Sequence, residues 1–433
     1  MQGLFHHRSL TEPIRPQAPL PRETGKKILL FSPHCLPPIG PEAIVAAKWV
    51  TAMSDAGWSI DLITWQNSLN FYPEDVTNPW QKINGHVYSV YGSNQLKFRN
   101  AFRISKSAFK TRHFNPGLIW ADESIDIAKS LVRKNHYDVM ISRSNPYWGH
   151  LPALVLKKKV RMPWIAVWND PAPQNKLPPP YGNGPLAPIP WVLSRYLKDV
   201  SLNADRHVFC SERLMNYMCS YLPAGTKPKS TVIPHICLKK FETTANANTR
   251  FILAHSGMIG GERKVDVFID GVMKFLKKQP GAPVEIHWIG HVDSGVRNKI
   301  AQNGLEEISS YLGPLSYVES LRHQNKATIL IIVEAPCEEG IFLPSKFVDY
   351  VQSGKPILAI SPLRGTLNDI LSKHGGGIAA DVNSSDSIET ALSVFYKSWK
   401  SGNLEKAFGS NKLQKQFSES RALADYQAMI DNL

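Results

Sequence analysis

Three stretches of the chain concentrate residues that bind or move charge. The first, Ser32–Glu42, joins an apolar run to a helical one and holds His34 and Gly40. A loop in that position points backbone N–H groups and a helix N-terminus at an anion. The second, His255–Lys264, is glycine-rich, includes Gly257 and ends in two adjacent cations, Arg263 and Lys264. Arginine grips a diphosphate with a planar fork and lysine meets it as a point charge. Cations are mildly disfavoured where a helix starts, so a pair of them there argues for an anion that offsets them. The third, Glu338–Ala359, sets Ser345 to cap a helix running to Gln352, with Gly354 ending it. Lys346 follows the cap, and Asp349 lies one turn in on the same face. Helix terminus, lysine and acid together suit a phosphate and ribose hydroxyls.

Other matches carry less. Gly182-Asn-Gly-Pro-Leu-Ala187 fits a dinucleotide fingerprint, but no strand precedes it and it lies among eight prolines between Pro171 and Pro190. His374-Gly-Gly-Gly377 resembles an oxyanion loop, yet no GxSxG elbow accompanies it. No GxxxxGK[ST] is present, which excludes a P-loop enzyme, and no DxD is present to hold a metal on a sugar nucleotide.

The elements that must position these residues follow a repeated rhythm. Ile28–Phe31 reads as a buried strand, Pro41–Ala56 as a helix and Ser59–Thr64 as the next strand. Short apolar runs recur at Asp138–Ser142, Trp164–Trp168, His207–Cys210 and Ser230–Ile233. A second series runs through Arg250–His255, Glu285–Ile289, Ile329–Val333, Ile357–Ile360 and Gly377–Asp381. Strands alternating with helices predict parallel sheets covered on both faces, and the restart after a small, polar linker predicts two of them. We therefore expect an α/β protein: a flexible tail at 1–25, one Rossmann-like domain at 26–240, a second at 241–415, and a helix at 416–433 that packs back on the first. Ligands bind outside the carboxyl ends of such strands, so two facing domains create a central cleft. Ser142, Arg143, Asn145 and Asp170 follow first-domain strands toward it, and Gly290 follows a second-domain strand.

At 433 residues, with 43% hydrophobic and 20% charged residues, the chain is neither disordered nor fibrous. Its five cysteines form no CxxC pair, so a reducing, cytoplasmic setting fits. No apolar stretch approaches the roughly 20 residues of a spanning helix. The formal net charge of +14 is segregated: residues 1–240 hold 30 Lys+Arg and 15 Asp+Glu, the remainder 20 and 21. Such a field favours an anionic partner. Gln95–Asn115 interleaves Lys97, Arg99, Arg103, Lys106, Lys110 and Arg112 with Leu96, Phe98, Phe102, Ile104 and Phe109. That pattern suits a helix lying on the inner face of the cytoplasmic membrane, with Pro185–Leu193 adding an apolar contact. A non-catalytic nucleic-acid or polyanion binder is the competing reading. No recognised nucleic-acid module supports it.

In this order, Pro37-Pro-Ile-Gly40, Ala204–Ser211, Val232–His235, His255–Lys264 and Pro344–Tyr350 with Ser353–Pro356 resemble glycosyltransferase family 4, retaining enzymes of the two-domain GT-B fold. The resemblance spans about residues 26–430. It implies a nucleoside-diphosphate sugar in the second domain, a glycan or lipid-linked acceptor in the first, and cell-surface polysaccharide assembly. It further implies transfer with retention, with no cofactor and no metal. By this resemblance Arg263 and Lys264 meet the diphosphate, with Gly40, Gly257, Gly290, Ser345 and Lys346 around the donor. Asp349 takes the place of the second acid of the family's EX7E motif, on the ribose. The first acid would fall at Ile341, so Glu338 or Glu339 serves from a displaced position, Glu339 being the catalytic candidate. Pro41 stands where many relatives have a second glycine. Asp170 is the acceptor-side catalytic candidate, and His34, Arg143 and Asn145 line the acceptor. A GT-B enzyme that epimerises a sugar nucleotide is the nearest alternative.

Overall fold

The structure is a computed structural model that describes residues 25–37, 40–66, 82–90, 101–238, 249–263 and 265–433. The expected tail, Lys264, and the part of the basic segment that holds Lys97 and Arg99 lie outside them. The strands of the first sheet are β1 (Lys27–Phe31), β2 (Ser59–Trp65), β3 (Val87–Val90), β4 (Val139–Arg143), β5 (Trp164–Trp168), β6 (Arg206–Phe209) and β7 (Ser230–Val232). Their spatial order is β3-β2-β1-β4-β5-β6-β7, and every pairing is parallel. The second sheet holds β8 (Phe251–Ser256), β9 (Val284–Ile289), β10 (Ser309–Gly313), β11 (Ile329–Val333), β12 (Ile357–Ser361) and β13 (Gly377–Asp381), ordered β10-β9-β8-β11-β12-β13. Both sheets are doubly wound, and in both the order reverses beside the first strand. Central strands carry apolar runs because helices cover both faces; all five residues of β11, Ile329-Leu-Ile-Ile-Val333, are apolar and buried.

β3 and β10 were not anticipated. Both are outermost strands, and only the two ends of β3 and none of β10 are buried, so neither carries the continuous apolar run that marks a central strand. The helix Ser345–Ser353 also starts one residue off expectation. Pro344 is its N-cap, and Ser345 makes no capping bond. Gly354 closes it in the left-handed region at φ 76°.

The domains share packing. One apolar cluster includes Trp120, Trp148 and Trp164 of the first domain and Leu343, Phe347 and Phe417 of the second. The helix Pro41–Asp55, started by Pro41 and led by Gly40 at φ 84°, touches both Ser345–Ser353 and the C-terminal helix Glu419–Asp431. On that C-terminal helix Tyr426 meets Trp49 edge-on at 5.3 Å, and Asp431 pairs with Lys26 at 2.6 Å.

Candidate active site

Between the carboxyl ends of the two sheets lies a cavity of about 680 Å³. Its first-domain wall includes Glu42, Ser144, Asn145, Asn169, Asp170 and His235, and its second-domain wall Arg263, Glu334, Ser345 and Lys346. The proline-rich segment after β5 closes one side through Gln174, Leu177 and Tyr181. The Tyr181 ring crosses the cleft to Phe342 at 5.8 Å.

The first-domain wall is built of acids held by amides. Glu42 sits in the first turn of Pro41–Asp55. Asn169, just past β5, donates to Glu42 Oε1 at 2.6 Å and to the Ser144 carbonyl at 3.0 Å. Arg143, the last residue of β4, reaches Glu42 at 3.8 Å from behind. Burial pushes the Glu42 carboxyl up to about 8; the guanidinium opposes this, and Asp170 adds to it. Asp170 accepts from Asn145 Nδ2 at 3.0 Å, and burial raises it too. Glu42 therefore exchanges a proton near neutral pH. Burial, reinforced by Arg143 and Lys48, pushes His235 down to about 3, so it faces the cavity as a neutral ring.

The second-domain wall is cationic around one buried acid. Glu334 follows β11 directly; burial lifts it to about 8 against the pull of Arg263 and Lys346. Lys346, in the first turn of its helix, is lowered to about 7 by burial and by Arg263. Its Nζ lies 3.1 Å from His255 Nε2. His255 Nδ1 faces the Ile331 carbonyl at 3.1 Å, so Nδ1 carries the ring proton and Nε2 accepts from the lysine. Glycines make room for this arrangement. A Cβ on Gly257, at φ 104°, would stand 3.1 Å from Lys346 Nζ. A Cβ on Gly290 would stand 2.8 Å from the Gly257 carbonyl oxygen.

The structure thus gathers Arg263, Ser345, Lys346, Asn145 and Asp170 around one cavity, with Gly257 and Gly290 supporting its floor and Gly40 and Arg143 behind Glu42. Others stand apart. His34 packs on Trp65 at 5.8 Å and is absent from the cavity wall. Asp349 pairs with Lys48 of the first domain and accepts from Tyr317 at 2.6 Å. Glu339, the expected stand-in for the first EX7E acid, is bound to Arg213 at 2.7 Å and Arg364 at 3.2 Å. It lines a separate crevice with Pro178, Pro180, Tyr217 and Glu338. Glu334, five residues earlier, lines the cavity instead. Sequence reading missed Glu334 and Glu42. Each was signalled by an acid directly after an apolar strand or at the first turn of a helix facing one.

No family model matches the chain, and no curated protein matches it. Solved structures do. The Anabaena protein HepE, solved with UDP and glucose, superposes with a TM-score of 0.64 at 13% identity, over 94% of this chain and 100% of that one. Sucrose-phosphate synthase from Thermosynechococcus elongatus gives 0.63 at 14%, over 93% and 98%. A putative UDP-N-acetylglucosamine 2-epimerase from Listeria monocytogenes gives 0.58 at 11%, over 95% and 98%. These likenesses establish the GT-B fold.

Proposed function

We propose that the protein is a retaining glycosyltransferase of family 4 type. It moves a sugar from a nucleoside diphosphate to a glycan or lipid-linked acceptor in cell-surface polysaccharide assembly. One observation carries the reading: an interdomain cavity sets cations and a helix N-terminus on one wall against the carboxyls of Glu42 and Asp170 on the other. The structural neighbours include a protein solved with UDP-glucose, which fits a nucleotide-sugar donor.

In the proposed reaction the bond from the anomeric carbon to the diphosphate oxygen breaks, and negative charge grows on that oxygen. Arg263, Lys346 and the N-terminus of Ser345–Ser353 stabilise it without reorganising. The acceptor hydroxyl attacks the same face, and its proton passes to the leaving phosphate oxygen. Asp170 and Glu42 hold the acceptor hydroxyl in line. The cations do the work a metal does elsewhere, so no metal is required.

The first domain meets an anionic membrane in this reading. On Ala101–Thr111, Phe102 and Phe109 are 85% and 88% exposed. Arg103 and Lys110 are paired with acids of Leu118–Lys134, which leaves Lys106 and Arg112 for lipid. The adjoining helix Trp191–Asn203 presents Trp191, Arg195 and Lys198 outward at helical spacing, and Leu186 stands exposed before it. Among the described residues no helix is long and apolar enough to cross a membrane.

The test is calorimetry with UDP- and GDP-sugars, followed by acceptor-dependent nucleotide release. No binding to any of them sinks the proposal. A second reading, sugar-nucleotide epimerisation, is favoured by three raised or buried carboxyls in one cavity, Glu42, Asp170 and Glu334. Interconversion of UDP-sugars without acceptor would decide for it.

A further inference from the structure

The glycines of Gly182-Asn-Gly-Pro-Leu-Ala187 serve a turn, not a dinucleotide. They belong to the proline-rich strap Pro171–Pro190, which is stitched to itself and to its own domain. The Gly184 N–H donates to the Leu177 carbonyl at 2.8 Å, and Asn175 Nδ2 to the Pro188 carbonyl at 2.7 Å. Lys176 is buried; its ammonium donates to the Pro185 carbonyl and lies 4.8 Å from the centre of the Tyr221 ring. Tyr217, on the helix Glu212–Cys219, donates to the Lys176 carbonyl at 2.7 Å. A Cβ on Gly182 would stand 2.7 Å from the carbonyl oxygens of Gln174 and Leu177, so the residue after Tyr181 must be glycine. The strap is a rigid mount, and the ring it holds against the cavity is that of Tyr181.

That ring stands between two spaces. On one side is the cavity of about 680 Å³, on the other the crevice of about 870 Å³ lined by Pro178, Pro179 and Pro180. Sequence neighbours divide between them. Arg263 faces the cavity and Glu262 the crevice; Glu334 faces the cavity and Pro336 the crevice. The wall between them is therefore thin, and Tyr181 meeting Phe342 edge-on closes it from the two domains. Burial raises the Tyr181 phenol, Arg263 opposes this, and Cys337 and Glu334 add to it, so the hydroxyl sits among second-domain groups at the end of β11.

We infer that Tyr181 is a specificity-determining residue: its ring bounds the transferred sugar and restricts the donor to a plain hexose, shutting out sugars that carry a bulky substituent such as an N-acetyl group. The inference rests on the donor reading proposed above. In that reading Arg263 holds the leaving phosphate, and the sugar is joined to that phosphate through one oxygen. The strap that carries Tyr181 leaves β5 directly after Asn169 and Asp170, on the acceptor side. The ring thus stands where the sugar passes from the cationic wall to the acidic one. A wall on a stitched strap does not yield to an extra group. A fitted apolar wall discriminates against one small group by roughly 10–200-fold. Removing the ring joins the cavity to the crevice behind it, and the extra group then has somewhere to go.

The experiment compares wild type, Tyr181→Ala, Tyr181→Phe and Phe342→Ala by calorimetry with UDP, UDP-glucose and UDP-N-acetylglucosamine, with circular dichroism to report folding. Wild type is expected to prefer UDP-glucose to UDP-N-acetylglucosamine by about tenfold or more. Tyr181→Ala should cut that preference below about threefold, chiefly by tightening the acetylated donor. Tyr181→Phe keeps the ring and should keep the preference. Phe342→Ala removes the other half of the wall and should relax the preference in the same direction, which decides the matter if Tyr181→Ala does not fold. Wild-type binding of the two sugar nucleotides within about threefold of each other overturns the inference and leaves the donor reading standing, and so does a preference that Tyr181→Ala retains. Equal weakening of all three ligands by Tyr181→Ala would place the ring against the nucleoside and overturns it as well. Failure of wild type to bind any of the three overturns the UDP-donor reading and this inference together.

Discussion

Donor affinity should fall steeply as pH rises above 7, and Lys346 is the reason. In the ligand-free cavity its ammonium is held down to about 7 by burial and by Arg263. A diphosphate is bound well only by the charged form. At pH 7 about half of the molecules carry that charge; at pH 9 about one in a hundred does. If the bound ligand raises the lysine above 9, the affinity ratio between those two pH values is about 50, or roughly 2 kcal/mol at 1.36 kcal/mol per pH unit. Glu334 and Glu42, both near 8, reinforce the trend, since each becomes negative over the same range and faces the same ligand. The assay is isothermal titration with UDP at intervals from pH 7 to 9, with the nucleotide's own titration, of its terminal phosphate at the low end and its uracil N3–H at the high end, measured in parallel and subtracted. Two variants isolate the cause. Lys346→Arg holds its charge throughout and should flatten most of the slope. Lys346→Met should bind weakly at pH 7 and keep only the shallower fall toward pH 9 that Glu334 and Glu42 impose. A wild-type profile flat across this range, or a Lys346→Met profile as steep as wild type, would refute the reasoning.

Arg263→Ala should weaken UDP about tenfold or more, since a charge-assisted hydrogen bond contributes roughly 1.5–3 kcal/mol; unchanged affinity in a folded variant removes Arg263 from the donor site. Activity should survive EDTA, and loss of turnover restored by manganese would show that the cations do not replace a metal. Replacing Phe102 and Phe109 with serine should cut sedimentation with anionic liposomes while leaving UDP affinity alone; equal binding to neutral and anionic vesicles counts against the membrane face. Glu334→Gln should stabilise the fold at pH 8. The native acid is raised above its unfolded value, so the folded state binds the extra proton and stability is lost as pH rises from about 4.5 toward 8. A neutral amide escapes that loss, with a gain in Tm on the order of 2–4 °C per kcal/mol recovered, at the expense of activity; a lower Tm at pH 8 would contradict the burial argument.

The alternation of strand and helix was legible because parallel strands covered on both faces must be apolar along their length. Runs such as Ile329–Val333 therefore announce themselves without help from tertiary structure. Two of the four edge strands lacked that signal: Val87–Val90 and Ser309–Gly313 are partly exposed and interleave polar residues, so they read as loop, whereas the edge strands Ser230–Val232 and Gly377–Asp381 kept enough of an apolar run to be read. The site divides along a similar line. Arg263 and Lys346 could be found because local context, a strand ending in glycines or a helix starting, already makes a cation there costly without an anion. Asp349 could be placed on one face of its helix, but its partner could not, and that partner keeps it off the cavity wall: Lys48 lies 301 residues away and looks like any lysine on an amphipathic helix. Glu339 and Glu334 show the converse. Only five residues separate them, and Glu339 is engaged away from the cavity by two arginines, Arg213 of the other domain and Arg364 of its own, while Glu334 sits at the strand end that opens on the cavity. Sequence spacing can bring an acid to the neighbourhood of a cleft. Which acid enters it is settled by which one follows the strand end directly and by the cations, from either domain, that hold the other.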